Sequence, residues 1–346
     1  MNESAASILP GNEANFLSLH GIYRWGIELI QAVQGIENPI LTALMKIITA
    51  LGTEYVYILI TLFVFWCVNE KKGVRLGILI LLSAWTNGFL KFLLKQPRPY
   101  HFDPSVGLAF EPSYGIPSGH AQLSLVFWFL IASWYGGRGK RAVLTAAILF
   151  TLLIGFTRLY LGVHFPTDLL AGWFLGMLIL VLYFFLEAPA SAVLNGGIPG
   201  IFPGGPRLRM ISAALTVLGM NALFPQDTSL GGLFLGFCIG YNLMLRYRPF
   251  SAAPGEAGQK GGLIRLGLRY LLGLAGTGCA YLILKALLPG ESSLWAASSL
   301  GNSLSPYYSL SRFLRYGLLG IWVTLGTGGI FLRLNLAERR IICSGV

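Results

Sequence analysis

Long apolar runs recur along most of this chain, and no other feature restricts its fold so strongly. They lie at about 53–69, 75–95, 119–136, 141–158, 168–187, 209–224, 229–246, 265–288 and 313–333. A helix of about 20 apolar residues matches the hydrocarbon thickness of a bilayer. Runs this long and this numerous exceed what soluble proteins carry. Charged residues are 11% of the chain, against about 25% in an average soluble domain. Mean hydropathy is +0.67. These values exclude a soluble all-α protein. The expectation is an all-α, polytopic transmembrane helical bundle of about nine spans.

Segment 16–50 differs. "FLSLHGIYRWGIELIQAV" and "NPILTALMKIITALG" carry His20, Arg24, Glu28 and Lys46 among apolar residues. They read as amphipathic helices lying at the interface or across the others. No basic stretch leads into an apolar core at the N-terminus, so no cleavable signal peptide is expected. The net charge of +11 does not point to nucleic acid, because the basic residues cluster between apolar runs as topology signals do. When the connections alternate between two sides, sixteen of the 25 Lys and Arg fall on one, including "NEKKGVR" and "GGRGKR". The positive-inside rule makes that side cytoplasmic and puts the N-terminus outside.

Composition shifts near residue 188, where "EAPASAVLNGGIPGIFPGGPRLR" is rich in Gly, Pro and Ala. The expected organisation is extracytoplasmic or interfacial helices over 1–50, a catalytic transmembrane core over 51–187, a cytoplasmic linker over 188–208 and a bundle of about four spans over 209–346. A second polar loop is expected at 249–262. The four cysteines form no CxxC pair; Cys67 and Cys238 sit within apolar runs and read as small apolar residues.

The polar exceptions gather on one side. Lys91 and Arg98 end the second run, His120 opens the third, Arg158 closes the fourth, and His164 and Asp168 open the fifth. That is the extracytoplasmic side of the layout. Arg offers a planar fork to phosphate oxygens, and Lys offers a point charge. Ser118 and Gly119 stand at a helix N-terminus, where unpaired N–H groups and the helix dipole favour an anion. The set reads as a phosphate cradle beside two histidines, one to attack phosphorus and one to protonate the leaving oxygen. Asp168, four residues after His164, is placed to accept the other ring N–H. Each piece has a plainer reading: a span-end anchor, a turn with a helix cap, or a metal pair, although no third ligand is evident nearby. Coincidence on one face favours the functional reading.

In order and spacing the three segments resemble the type 2 phosphatidic acid phosphatase family, whose site is shared with vanadium haloperoxidases. Its first motif, Lys-x6-Arg-Pro, is matched by "KFLLKQPRP" (Lys91 to Pro99), and its second by Pro117 to His120. Its third, Ser-Arg-x5-His-x3-Asp, is matched by "TRLYLGVHFPTD" (Thr157 to Asp168), with Thr157 in place of Ser. The resemblance covers about residues 50–187. It implies a metal-independent phosphatase with no cofactor. His164 would be the nucleophile, Asp168 its orienting partner and His120 the acid. Lys91, Arg98, Ser118, Gly119 and Arg158 would hold phosphate.

A site at the interface of a membrane bundle favours an amphiphile. Candidate substrates are phosphatidic acid, phosphatidylglycerophosphate, a polyprenyl diphosphate or a sphingoid phosphate. Residues 101–116 are expected to frame the head group, with Glu111 and Tyr114 as selectivity candidates and His101 and Asp103 as loop residues. The alternatives are a lipid phosphotransferase using the same intermediate and, from another class, a lipid transporter. A transporter's polar groups would gather near mid-membrane rather than at one face. The expected location is a bacterial inner membrane, with the site extracytoplasmic. Residues 209–346 could serve an oligomer or protein contact, and Arg312 and Arg315 are expected to be interface anchors.

Overall fold

A computed structural model describes residues 13–137, 139–198, 202–252, 262–288 and 306–339. Most of the expected 249–262 loop lies outside the described residues, as do the first twelve residues, Arg138 and the tail from 340. Among the described residues the regular structure is helical apart from two short antiparallel pairings, Gly197–Ile198 with Phe202–Pro203 and Phe250–Ser251 with Glu338–Arg339. In chain order the helices are α1 (Glu13–Gln34), α2 (Pro39–Ala50), α3 (Glu54–Phe63), α4 (Glu70–Leu94), α5 (Pro99–Phe102), α6 (Gly119–Ser133) and α7 (Gly139–Tyr160). Then come α8 (Pro166–Gly196), α9 (Pro206–Leu223), α10 (Ser229–Tyr247), α11 (Gly262–Leu287), α12 (Pro306–Ile321) and α13 (Thr327–Arg333).

Every apolar run is helical, but the expectation of nine spans is not supported. Five helical stretches are long and apolar enough to cross a bilayer: 70–102, α7, residues 166–195 of α8, α10 and α11. A sixth exists if α2 and the helix 54–68 form one broken span, bent by 46°. The reasons are local. The 15 residues of α6 rise only about 22 Å, short of the ~30 Å hydrocarbon core. The 18-residue α9 opens with Arg207 and Arg209. The 16-residue α12 carries Arg312 and Arg315, and a π turn over Trp322–Gly326 separates it from α13.

Local chemistry sets several boundaries. The Asn38 side chain accepts the Leu41 N–H at the start of α2, and Pro39 fills the first turn. Segment 188–208, read from composition as a linker, is helical as far as Gly196, so α8 runs through Pro189. Gly205, at φ 110°, then turns the chain into Pro206 and α9.

The chain forms two compact units, Met1–Tyr57 with Leu82–Tyr183, and Ile58–Leu81 with Phe184–Val346. In the first, α6 packs on α7, and α1 and α2 also lie against α7. Helices α6 and α8 meet closely at Gly172, where a Cβ would stand 2.5 Å from the Ser118 carbonyl oxygen. Only a residue without a side chain allows this approach. The second unit has an aromatic core of Phe65, Trp66, Phe250 and Phe331. Arg269 is buried there, and it donates to the carbonyls of Trp66, Ala252 and Leu336. Gly232, Gly236 and Gly240 bring α10 against the chain from Phe313 to Thr324. Helix α11 buries Arg269 and Gly273 and leaves Leu263, Ile264 and Leu271 exposed, as a helix with a lipid-facing side requires.

Candidate active site

The C-terminal ends of α4 and α7 and the N-terminal ends of α6 and α8 converge within the first unit. They bring Lys91, Arg98, Ser118, Arg158, His164 and Asp168 into one buried cluster. His164 precedes α8, and Asp168 lies in its first turn. Asp168 Oδ2 accepts the Phe165 N–H at 3.0 Å and stands 3.1 Å from His164 Nδ1. Asp168 Oδ1 accepts from Gln96 Nε2 at 2.7 Å.

This geometry fixes the imidazole tautomer. Arg98 Nη1 lies 3.3 Å from His164 Nε2. Guanidinium nitrogens only donate, so Nε2 must accept and carries no proton. The ring proton is then on Nδ1, donated to Asp168. Burial pushes His164 well below the ordinary imidazole value, and the charges of Arg98, Lys91, Arg158 and His120 add to the shift. An unprotonated nitrogen is therefore held toward the cationic cluster.

Each cation is anchored. Arg98 donates through Nε to the Ser113 carbonyl at 2.6 Å, through Nη2 to Ser113 Oγ at 2.9 Å, and through Nη1 to the Val163 carbonyl at 2.7 Å. Lys91 Nζ donates to the Tyr114 carbonyl and to the Gly115 carbonyl at 3.0 Å. Arg158 donates to Thr49 Oγ1 at 2.9 Å and to Glu111 Oε1, and its Nε has no partner. Glu111 Oε2 is 3.7 Å from Arg98. The Glu111 carboxylate thus lies against both arginines. Burial pushes this carboxyl up, but Arg158 and Arg98, with His120, outweigh burial and hold it at about 2.

The Pro117–His120 turn is locked from behind. Asn87 Nδ2 donates to the Pro117 carbonyl at 3.2 Å and to Gln122 Oε1 at 2.8 Å. Gln122 Nε2 donates to Ser83. Gly119 lies on Asn87, where a Cβ would come 3.1 Å from Oδ1. Gly52 backs His120, with a Cβ position 3.2 Å from the ring's Cδ2. The Ser118 N–H, expected to be free for an anion, instead donates to the Asp168 carbonyl at 3.0 Å. The Ser118 hydroxyl is buried with no partner, which leaves it available to a ligand. Thr157 Oγ1 is turned back onto the Ile154 carbonyl at 2.7 Å.

His101 and Asp103 stand apart from the cluster. His101 Nδ1 accepts the Arg98 N–H, and Asp103 caps the turn at Ser105 and accepts from Gln31. Tyr114 joins through its backbone carbonyl. Gln96, Ser113, Thr49, Asn87 and Gln122 were not found from sequence. They hold the clustered residues through tertiary contacts, and no spacing in the chain marks them. Among the described residues no group of three or more His, Cys, Asp or Glu could hold a metal.

The PAP2 superfamily model matches residues 72–189, and the model for the PAP2 superfamily phosphatase transmembrane extension matches 228–339. The chain is 29% identical to an undecaprenyl-diphosphatase of Sulfolobus acidocaldarius, over 44% of this chain and 73% of that protein. It is 35% identical to phosphatidylglycerophosphatase B of Bacillus subtilis, over 31% of this chain and 55% of that protein. It is 31% identical to human sphingosine-1-phosphate phosphatase 2, over 42% of this chain and 38% of that protein. No solved structure matches. The chain belongs to the PAP2 superfamily of membrane lipid phosphatases and carries that superfamily's transmembrane extension.

Proposed function

We propose that this protein hydrolyses the terminal phosphate of a membrane lipid through a phosphohistidine at His164. The carrying observation is the tautomer: Nδ1–H on Asp168 and a bare Nε2 beside Arg98. The Nε2 lone pair attacks phosphorus, and the P–O bond to the lipid breaks. Burial and the Arg158 charge push His120 down to about 3 in this site, so it would take up a proton as the phosphate's negative charge enters and then give it to the departing oxygen. Water then attacks the phosphohistidine, His120 takes a proton back, and phosphate leaves. Asp168 stabilises the imidazolium that forms during attack. Lys91, Arg98, Arg158 and the Ser118 hydroxyl would hold the phosphate oxygens, and Gly119 lets Asn87 pack against the turn that presents them. Glu111, paired with Arg158 and Arg98, and the Tyr114 carbonyl, which accepts from Lys91, border the phosphate position, which supports a role for them in selectivity.

The relatives act, by name, on a polyprenyl diphosphate, a glycerophospholipid phosphate and a sphingoid phosphate. What these share is a terminal phosphate on a lipid. The site ends of α4 and α7 lie opposite their ends bearing Lys71, Lys72 and Arg75, and Lys140 and Arg141. The positive-inside rule thus favours an extracytoplasmic site. Phosphate release by purified protein from a panel of these lipids, with and without chelator, tests the reading. Activity is expected to survive chelator and to vanish in His164→Ala. Loss in chelator, or a fully active His164→Ala protein, would refute it.

A further inference from the structure

Arg312 and Arg315, expected from sequence to be interface anchors, are buried, 6% and 2% exposed. They lie three residues apart in α12 and so share a face. Arg312 Nη2 donates to Asp227 Oδ1 at 3.0 Å, an oxygen that also accepts from the N–H and hydroxyl of Ser229. The Nε and Nη1 of Arg312 have no partner. Among the described residues Arg315 donates to the Leu288 carbonyl at 3.4 Å and lies over the Tyr316 ring at 5.3 Å, and its Nε has no hydrogen-bond partner. The buried Ser311 hydroxyl is unpartnered as well. Tyr316 lies within electrostatic range of both guanidiniums.

Two guanidiniums face one carboxylate among the described residues, so a single positive charge remains uncompensated. Buried donors left unmade are costly, and a buried unpaired charge more so. The missing partner is therefore a singly charged oxyanion with several acceptor lone pairs. The cluster sits near the ends of α9, α10, α11 and α12, and α10 and α11 are both candidate spans. That is the depth of phospholipid head groups. A phosphodiester carries one negative charge on two non-bridging oxygens, which suits the fork of an arginine.

We propose that Ser311, Arg312 and Arg315 form an anion site in the second unit that takes the phosphodiester of an anionic membrane phospholipid. It would be separate from the hydrolytic site and would hold lipid without turning it over.

The test uses the full chain in nanodiscs of phosphatidylcholine, alone, with phosphatidylglycerol, or with added inorganic phosphate. Retained lipid is read by native mass spectrometry and stability by thermal unfolding. Wild type should keep phosphatidylglycerol selectively and unfold at higher temperature with it. R312Q/R315Q should lose that selectivity, with affinity weakened roughly tenfold or more, as the loss of charged hydrogen bonds predicts. Hydrolysis of a soluble short-chain phosphate should be unchanged in the variant, which separates this site from the phosphatase reading. Equal retention of both lipids by wild type would overturn the proposal, and this result does not depend on the variant folding. Stabilisation by inorganic phosphate without lipid preference would also overturn it, as would undiminished selectivity in R312Q/R315Q.

Discussion

Replacing Glu111 by Gln should tighten phosphate binding. In the ligand-free protein the Glu111 carboxylate lies against Arg158 and Arg98, where the site must otherwise receive a phosphate. An incoming phosphate competes with this internal anion. The strength of the internal pair can be gauged from its effect on the carboxyl, held at about 2 against an ordinary 4.5. That difference corresponds to about 3 kcal/mol. The Glu111 side chain is 28% exposed, so solvent screening brings the usable figure nearer ~2 kcal/mol. Removing the charge without changing the shape should lower the inhibition constant for inorganic phosphate or orthovanadate roughly 30-fold. The ligand-free variant should unfold at lower temperature, because two buried arginines lose their carboxylate, and saturating phosphate should restore more stability than it adds to wild type. Competitive inhibition and thermal unfolding in the same detergent give both readings. A folded Glu111→Gln protein whose phosphate inhibition is unchanged or weaker would refute the reasoning, since Glu111 would then not occupy the phosphate position.

Asp168→Asn should lower kcat by roughly 10³–10⁴-fold while leaving the protein folded, because the amide no longer enforces the Nδ1–H tautomer of His164; near-normal turnover would contradict the assigned role. Gly172→Ala should cost about 1–3 kcal/mol of stability, because its Cβ would press on the Ser118 carbonyl. It should also reduce kcat by displacing the Pro117–His120 turn, which unfolding and turnover measurements would detect. The folded protein keeps His164 neutral well below 6.5, the value at which an unfolded histidine takes up its proton. As pH falls below 6.5 the unfolded state therefore binds more protons, and stability should drop by up to about 1.4 kcal/mol per pH unit. His164→Gln should remove that share of the acid slope and leave the share of His120, which is pushed down to about 3. Glu111, depressed from 4.5 to about 2, should contribute a further loss between those two values.

The clustering of the candidate residues was legible in sequence because short connections fix it. Arg158 and His164 flank a five-residue turn, and Asp168 falls in the first turn of the next helix, so spacing nearly dictates contact. The route differs slightly from simple helical spacing. His164 lies outside α8 and reaches Asp168 across the cap, where Phe165 N–H shares the carboxylate. The supporting residues were not legible. Gln96, Ser113 and Thr49 act on partners 15 to 109 positions away, and nothing local distinguishes them from ordinary polar residues. The span count failed for a related reason. Apolar run length does not reveal where a helix ends, and α6 stops at Ser133 while a π turn interrupts 306–333. Nor did sequence show that Arg312 and Arg315 are buried, since a basic residue near a span end usually snorkels to water.

The central claim is a covalent bond between phosphorus and His164 Nε2. Rapid quenching of the enzyme with a ³²P-labelled lipid phosphate, followed by peptide mass spectrometry, tests it directly. The account predicts acid-labile, base-stable label on His164 and none in His164→Gln. Turnover with no label on any residue, and with lipid alcohol and phosphate released together without a burst, would mean that water attacks the substrate directly, and the phosphohistidine mechanism would be wrong.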